Sequence, residues 1–243
     1  MNEMSRIEAL CKTLRLFHLP QTLVDKSCDE KNSWLLELLE AELSCREEAK
    51  KHRLYKQAKF PMKKEICNYE WHDHISLTHA QVKQELLNLS FIDRCENVVL
   101  VGTPGTGKTH LATALGILAT NAGHETRFLR VSELVTTLQK HWINGTLKPF
   151  IRSFDRVKLI ILDEMGYVPF SKDGAELLFE LVSGWYETKS VIITSNLEFS
   201  AWNKVFVDSR LTAALVDRLI HHAHIVRFTG ESYRLKNALS KRS

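Results

Sequence analysis

Residues 98–109 read VVLVGTPGTGKT: an apolar run, a glycine-rich turn and the opening of a helix. Gly102, Gly107, Lys108 and Thr109 fit the pattern G-x-x-x-x-G-K-[ST], with Thr103, Pro104, Gly105 and Thr106 between the two glycines. Glycines let a backbone curl until successive N–H groups point inward around an anion. Lys108 adds a point charge for β- and γ-phosphate oxygens, and Thr109 offers a hydroxyl to Mg²⁺. The Ala- and Leu-rich helix that continues through His110 turns its positive end toward the same anion. An apolar strand before the loop and a helix after it are the context this pattern requires. The stretch therefore predicts a nucleoside-triphosphate site on a strand–loop–helix unit.

Outward from this loop, apolar runs alternate with helical ones. Strands are expected at 97–102, 126–131, 157–163, 189–195 and 224–229, and helices at 108–122, 132–144, 172–187 and 209–222. Such alternation builds βαβ units on a parallel sheet, whose ligands gather at the carboxyl ends of the strands. Two runs end in polar residues. VKLIILDE ends in Asp163 and Glu164, a carboxylate pair at the tip of a strand apolar enough to be buried on both faces. An unpaired charge there is costly unless it has a task. Asp163 is placed to hold Mg²⁺ with Thr109, and Glu164 to polarise an attacking water. SVIITSN ends in Thr194, Ser195 and Asn196, a tip that can hydrogen-bond that water or sense the γ-phosphate. Further on, Arg210, Arg218 and Arg234 are candidates to contact γ-phosphate, in the same chain or from a neighbour. His221, His222 and His224 lack a carboxylate or cysteine nearby in sequence and read as packing or surface residues.

The N-terminal part has another character. Ile7, Leu10, Leu14 and Phe17 recur at helical spacing up to Pro20, and a second helix is expected from Ser33 toward Phe60, with Leu35, Leu36, Leu38, Leu39 and Leu43 facing inward. Together they predict a small helical bundle over 1–66. Between Arg46 and Lys64 eight basic residues stand against Glu47 and Glu48, with Tyr55 and Phe60 interleaved. Lys50, Lys51, Arg53, Lys56, Lys59, Lys63 and Lys64 can lie along nucleic-acid phosphates or form a solvated helix face. Residues 67–96 read as a linker into the core at 97–243, carrying a helix from Thr78 to about Phe91. In it, His72 and His74 flank Asp73 as surface or interface residues.

Composition sets the outer limits. With 26% charged and 44% hydrophobic residues, the 243-residue chain is ordinary for a globular protein, and a net charge of +4 is too mild to argue for nucleic acid alone. Charges interrupt the first residues, so neither a signal peptide nor a membrane span is expected. Five cysteines without a C-x-x-C pair suit a reducing cytoplasm rather than a disulfide or metal framework.

Several segments together resemble the IstB-like ATP-binding proteins, the transposition helper ATPases of insertion sequences, in the AAA+ group that also holds the DnaC-type helicase loaders. They are LLELLEAELSCRE, KQAKFP, GTPGTGKTHLATALG, LIILDEMGYVPFS, LLFELVSGWYE, IITSN and AALVDRLIHHAHIVRFTGESYRLK. The resemblance implies an α/β AAA+ core with a five-stranded parallel sheet of order 5-1-4-3-2, a helical N-terminal domain before it, and little of the usual lid. It implies ATP and Mg²⁺ as cofactors, assembly on double-stranded DNA with few base-specific contacts, and a partner transposase. By position, Asn196 resembles the first sensor, Arg218 the arginine finger that one subunit lends another, and Arg234 a second sensor. A finger of that kind puts ATP at the interface of a homo-oligomer. A replicative helicase loader of the DnaC type and a nucleotide-gated adaptor with little hydrolysis are the alternative readings.

Overall fold

The computed structural model describes residues 3–16, 19, 29–71, 74–79, 81–167, 169–206 and 208–233. Its helices and strands in chain order are α1 (Glu3–Leu14), α2 (Asp29–Ala58), β1 (Ile75–Leu77), α3 (Val82–Leu87), α4 (Ser90–Asp93), β2 (Asn97–Gly102), α5 (Lys108–Asn121) and β3 (Thr126–Arg130). Then come α6 (Val131–Ile143), α7 (Leu147–Arg152), β4 (Leu159–Met165), α8 (Lys172–Ser183), β5 (Ser190–Ser195), α9 (Asn203–Phe206), α10 (Ser209–Ile220) and β6 (Ala223–Phe228). The chain divides into two units, Met1–Arg53 and Leu54–Ser243.

In the second unit the sheet order is β1-β6-β2-β5-β4-β3. Counted alone, the five parallel strands run 5-1-4-3-2, as the family resemblance implied. The sheet has a sixth member that the sequence reading lacked. β1 pairs antiparallel with β6, Ile75 opposite Phe228 and Leu77 opposite Val226. Three residues are too few for an alternating pattern to register, so only pairing with β6 defines this strand.

Side chains alternate across the sheet, so the apolar runs feed two cores at once. Val99, Ile160, Leu162, Val191 and Ile193 pack under Leu134, Leu138, Leu178, Leu181, Leu215 and Leu219 from α6, α8 and α10. Val98, Leu100, Leu159, Ile161 and Ile192 pack against Leu111 and Leu115 of α5 on the other face.

That second face also takes in Tyr69, Val82, Leu86, Leu89, Phe91 and Ile92, from the stretch expected to be a linker. The single helix expected from Thr78 to about Phe91 is two short ones, α3 and α4. They are parted at Leu89, whose φ of 62° lies in the left-handed region while its side chain is buried. Burial of Leu86, Phe91 and Ile92 on one sheet face favours a break over a continuous helix, which would turn some of them to solvent.

In the first unit α1 buries Ile7, Cys11 and Leu14 against Leu39, with Leu10, Leu35, Leu36 and Leu43 around them. Arg46 donates to the Leu14 carbonyl at 3.2 Å, satisfying an acceptor that the helix end leaves open. α2 starts at Asp29, earlier than expected. Its residues from Leu54 onward belong to the second unit, where Leu54 and Ala58 are buried and Phe60 packs edge-on to Phe128. Phe17 and Pro20, expected at the end of the first helix, lie outside the described residues, as do Cys28, His72 and Asp73. Cys11, Cys45, Cys67 and Cys95 are free thiols. Among the described residues, no helix is long and apolar enough to cross a membrane.

Candidate functional site

The loop between β2 and α5 stands at the carboxyl edge of the sheet. Gly102 takes φ 148° against the end of β6, and a Cβ there would fall on the Phe228 carbonyl oxygen. Gly107, at φ 101°, caps α5 in the left-handed region. Thr106 donates to the Thr103 carbonyl at 2.8 Å and closes the turn. Thr103 and Pro104 are exposed, and Thr103 donates to the Gly230 carbonyl at 3.1 Å. Lys108 is buried in the first turn of α5, and its Nζ donates to the Gly102 and Thr103 carbonyls at 2.7 Å each. The ammonium is thus held by loop carbonyls at the mouth of the helix.

β4 delivers the carboxylate pair to the same place. Asp163 is 3% exposed and accepts, on one oxygen, from Thr109 at 2.8 Å and from Thr194 at 2.6 Å. Glu164 follows with φ 63° and an exposed side chain, and its N–H donates to the Thr194 hydroxyl at 2.9 Å. Carboxylate and hydroxyl oxygens are the hard donors that Mg²⁺ takes. Thr109 and Asp163 therefore suit the metal in the chemistry of their donor atoms. Asn196, by contrast, lies exposed past the end of β5. The residue of that tip that reaches the pair is Thr194, two positions earlier. The sequence named the right strand end, but only the pairing of β4 with β5 decides which side chain points at Asp163.

Next to the loop, His110 packs edge-on to Tyr69 with ring centres 5.2 Å apart. Burial lowers the pKa of His110, and the positive charge of Lys64 adds to the effect, so the ring is neutral near pH 7. Its Nε2 is buried without a hydrogen-bond partner among the described residues. The segment after β6 folds back over the loop as well: Tyr233 donates its N–H to the Gly105 carbonyl at 2.9 Å and its hydroxyl to Glu70 at 3.2 Å. Arg234 lies outside the described residues.

Arg218 sits at the other edge of the sheet. It belongs to the last turn of α10, donates to the Ser183 hydroxyl and lies 4.8 Å from the centre of the Phe179 ring. It borders a small crevice with Asn97, Trp185 and Val191, residues at or beside the amino ends of β2 and β5. Five steps of strand separate Asn97 from Gly102, about 16 Å at 3.3 Å per residue. The structure does not bring Arg218 to the phosphate loop of its own chain. Arg210 is exposed at the start of α10.

Of the expected nucleic-acid contacts, Lys50, Arg53, Lys56, Lys59 and Lys63 are exposed, and Lys51 and Lys64 are partly buried. Lys51 pairs with Glu48 and Lys63 with Glu65. Lys50, Lys51 and Arg53 belong to the first unit, the others to the second.

A basic feature that the sequence reading missed is the hairpin of α6 and α7. From Leu134 to Phe154 the chain has no acidic residue, and Lys140, Lys148 and Arg152 are exposed. Trp142 and Ile143, at its tip, are 55% and 76% exposed. The tip is rigid: His141 bonds Thr146 at 2.7 Å and stacks on Phe150, which leads through Phe154 into the core. The absence of acids over twenty residues was the signal available in the sequence.

The histidines divide. His224 bonds Glu96 at 2.9 Å beneath the sheet. Burial would raise the Glu96 carboxyl, but hydrogen bonds from Arg94 and His224 outweigh it and hold the pKa low. His221 and His222 are exposed, and tertiary structure brings them a carboxylate, Glu187, that is not near them in sequence.

Comparison with known proteins speaks to the family and the fold. The family described as IstB-like ATP binding protein matches residues 9–241. An insertion sequence IS232 ATP-binding protein of Bacillus thuringiensis subsp. berliner is 34% identical over 99% of this chain and 98% of its own length. The corresponding IS21 protein of Pseudomonas aeruginosa is 35% identical over 96% and 90%. Among solved structures, the DnaC helicase loader is 21% identical with a TM-score of 0.54, covering 72% of this chain and 98% of that one. AMPPCP-bound DnaA from Aquifex aeolicus is 20% identical with a TM-score of 0.56, over 70% of this chain and 51% of that one. At these identities the two structures establish the AAA+ fold.

Proposed function

The chain belongs to the IstB-like ATP-binding proteins, and from that premise we propose that it binds and hydrolyses ATP, assembles head to tail on double-stranded DNA and directs a partner transposase. The observation that carries this reading is the meeting of Thr109, Asp163 and Glu164 at the mouth of the phosphate loop.

Each group then has a task. The loop from Gly102 to Gly107 offers its N–H groups to the phosphates, and Lys108 leaves the carbonyls of Gly102 and Thr103 for the β- and γ-oxygens. His110 borders the nucleotide beside Tyr69. Thr109 and Asp163 would hold Mg²⁺, which would supply charge neutralisation for the nucleotide's phosphates. Glu164, exposed on the open side of Asp163, takes the proton of the attacking water. Asn196 senses the γ-phosphate from the end of β5, and Arg234 is kept as a second sensor.

Arg218 lies a strand length from its own loop, which supports its use in a neighbour's site. A subunit that accepts at one edge of its sheet and donates at the other makes a heterologous contact, the kind that closes rings or extends helices. For DNA, Lys50, Lys51 and Arg53 of the first unit are candidate phosphate contacts, as are Lys56, Lys59, Lys63 and Lys64 of the second, and the hairpin tip of the second unit is a further candidate. There Lys140, Lys148 and Arg152 suit phosphates, and Trp142 and Ile143 suit base edges or steps. The insertion-sequence context of the relatives supports a transposase as the partner.

The test is ATP turnover by the purified protein with and without double-stranded DNA, with light scattering on the same samples. Turnover and larger assemblies that both require ATP and DNA are expected. A monomer that neither hydrolyses ATP nor responds to DNA would overturn the reading and favour a nucleotide-gated adaptor. Recovery of a replicative helicase in place of a transposase would favour a loader.

A further inference from the structure

The pairing of β4 with β5 is regular up to Leu162 opposite Ile193 and resumes with Met165 opposite Ser195. Between these points two residues, Asp163 and Glu164, stand against one, Thr194. This is a bulge, and bulges in parallel pairs are rare. It has a chemical effect. In a regular strand consecutive side chains point to opposite faces, whereas here Asp163 is buried under Thr109 and Glu164 is turned out into solvent at the same edge. The turn is made by Glu164 at φ 63°, a region that a residue with a Cβ enters only when its surroundings hold it there.

Thr194 is what holds it. The side chain is 2% exposed, and its hydroxyl uses its donor on Asp163 and a lone pair on the Glu164 N–H. One atom therefore fixes the metal-binding carboxylate and the backbone of the base together. We propose that Thr194 is a positioning residue for ATP hydrolysis: it clamps the bulge so that Glu164 stands at the attacking water while Asp163 stays at the metal. The proposal rests on the ATPase reading above. Thr194 is buried with its hydroxyl committed to Asp163 and to the Glu164 N–H, and it acts through Glu164. It differs in this from Asn196, which the sequence reading put forward at the same strand tip.

The experiment compares wild-type protein with Thr194→Val, Thr194→Ser, Glu164→Gln and the Thr194→Val/Glu164→Gln double variant, measuring nucleotide affinity, KM and single-turnover hydrolysis. Valine keeps the shape and removes both bonds. Hydrolysis by Thr194→Val should fall about 100-fold, the order expected when a catalytic group is misplaced by about 1 Å, with affinity and KM within about threefold of wild type. Serine restores the hydroxyl and should recover most of the rate. If Thr194 acts through Glu164, the double variant should be no slower than Glu164→Gln alone.

Wild-type rates in Thr194→Val, or losses that multiply in the double variant, would overturn the clamp. So would a serine variant as slow as valine although both bind nucleotide normally. An inactive wild-type protein, or a Glu164→Gln variant that hydrolyses normally, would instead sink the ATPase reading from which the clamp follows.

Discussion

The two edges of the sheet are built differently. At the carboxyl edge, polar groups hold one another: Lys108 on loop carbonyls, Thr109 and Thr194 on Asp163, and Thr194 on the backbone of Glu164. At the amino edge, Arg218 rests on an aromatic ring and a hydroxyl, and the amide of Asn97 borders the same crevice. The first edge is a set of acceptors and donors whose chemistry suits an anion and a metal. The second carries an arginine that forms no ion pair among the described residues. The two are complementary in chemistry yet separated by the length of a strand. One chain does not bring Arg218 to its own loop, and under the proposed head-to-tail assembly two chains placed edge to edge would supply both halves.

The largest effect expected on this comparison is at the carboxyl edge. Lys108→Ala removes the only side-chain cation of the loop and should abolish measurable ATP binding by calorimetry. Affinity like that of the wild type would show that the edge is not a phosphate site.

Next is Arg218→Ala. Loss of an arginine finger costs on the order of 10³-fold or more in turnover, and ATP affinity of the isolated subunit should be unchanged. Mixing Arg218→Ala with Lys108→Ala subunits sharpens the point. One variant keeps the intact acceptor edge and the other the intact donor edge, so part of the activity should return. Failure of the mixture, when each variant folds and assembles, would break the idea of two complementary halves.

A smaller effect separates structure from chemistry at the amino edge. Asn97 is buried, donates to the Leu219 carbonyl at 3.1 Å and accepts from the Val191 N–H at 3.0 Å. Asn97→Ala leaves those groups unpaired and should lower stability by about 1–3 kcal/mol in denaturant titrations. The rate per folded molecule should move far less than in Arg218→Ala. The smallest effect is expected outside both edges. Lys148→Ala should weaken DNA binding for all sequences alike and reduce the slope of log affinity against log salt by about one. An unchanged slope would remove the hairpin from the DNA surface.

The reach of the sequence reading follows the range of the interactions involved. The phosphate loop, the parallel strands and the helices between them were legible because each is written in neighbouring residues: glycines at fixed spacing, β-rich apolar runs and helical periodicity. The strand β1, the break at Leu89 and the packing of 67–96 were not legible, since they exist only through burial against partners far along the chain. The same division runs through the candidate site. Lys108, Thr109, Asp163 and Glu164 announced themselves by motif. Thr194 did not, because a threonine near a strand tip is unremarkable until a bulge in the neighbouring strand sets two carboxylates against it.

Residue type and local spacing were enough to name the phosphate loop, the Asp163–Glu164 pair and the five parallel strands with the helices between them, because each of these is written in neighbouring residues. The tertiary structure alone decided which side chains meet: Thr194 rather than Asn196 on Asp163, Glu187 beside His221 and His222, and Arg218 away from its own phosphate loop. Strand register fixes the first of these meetings, where a shift of one residue would turn a side chain to the opposite face, and helix packing and the turns beside it fix the others.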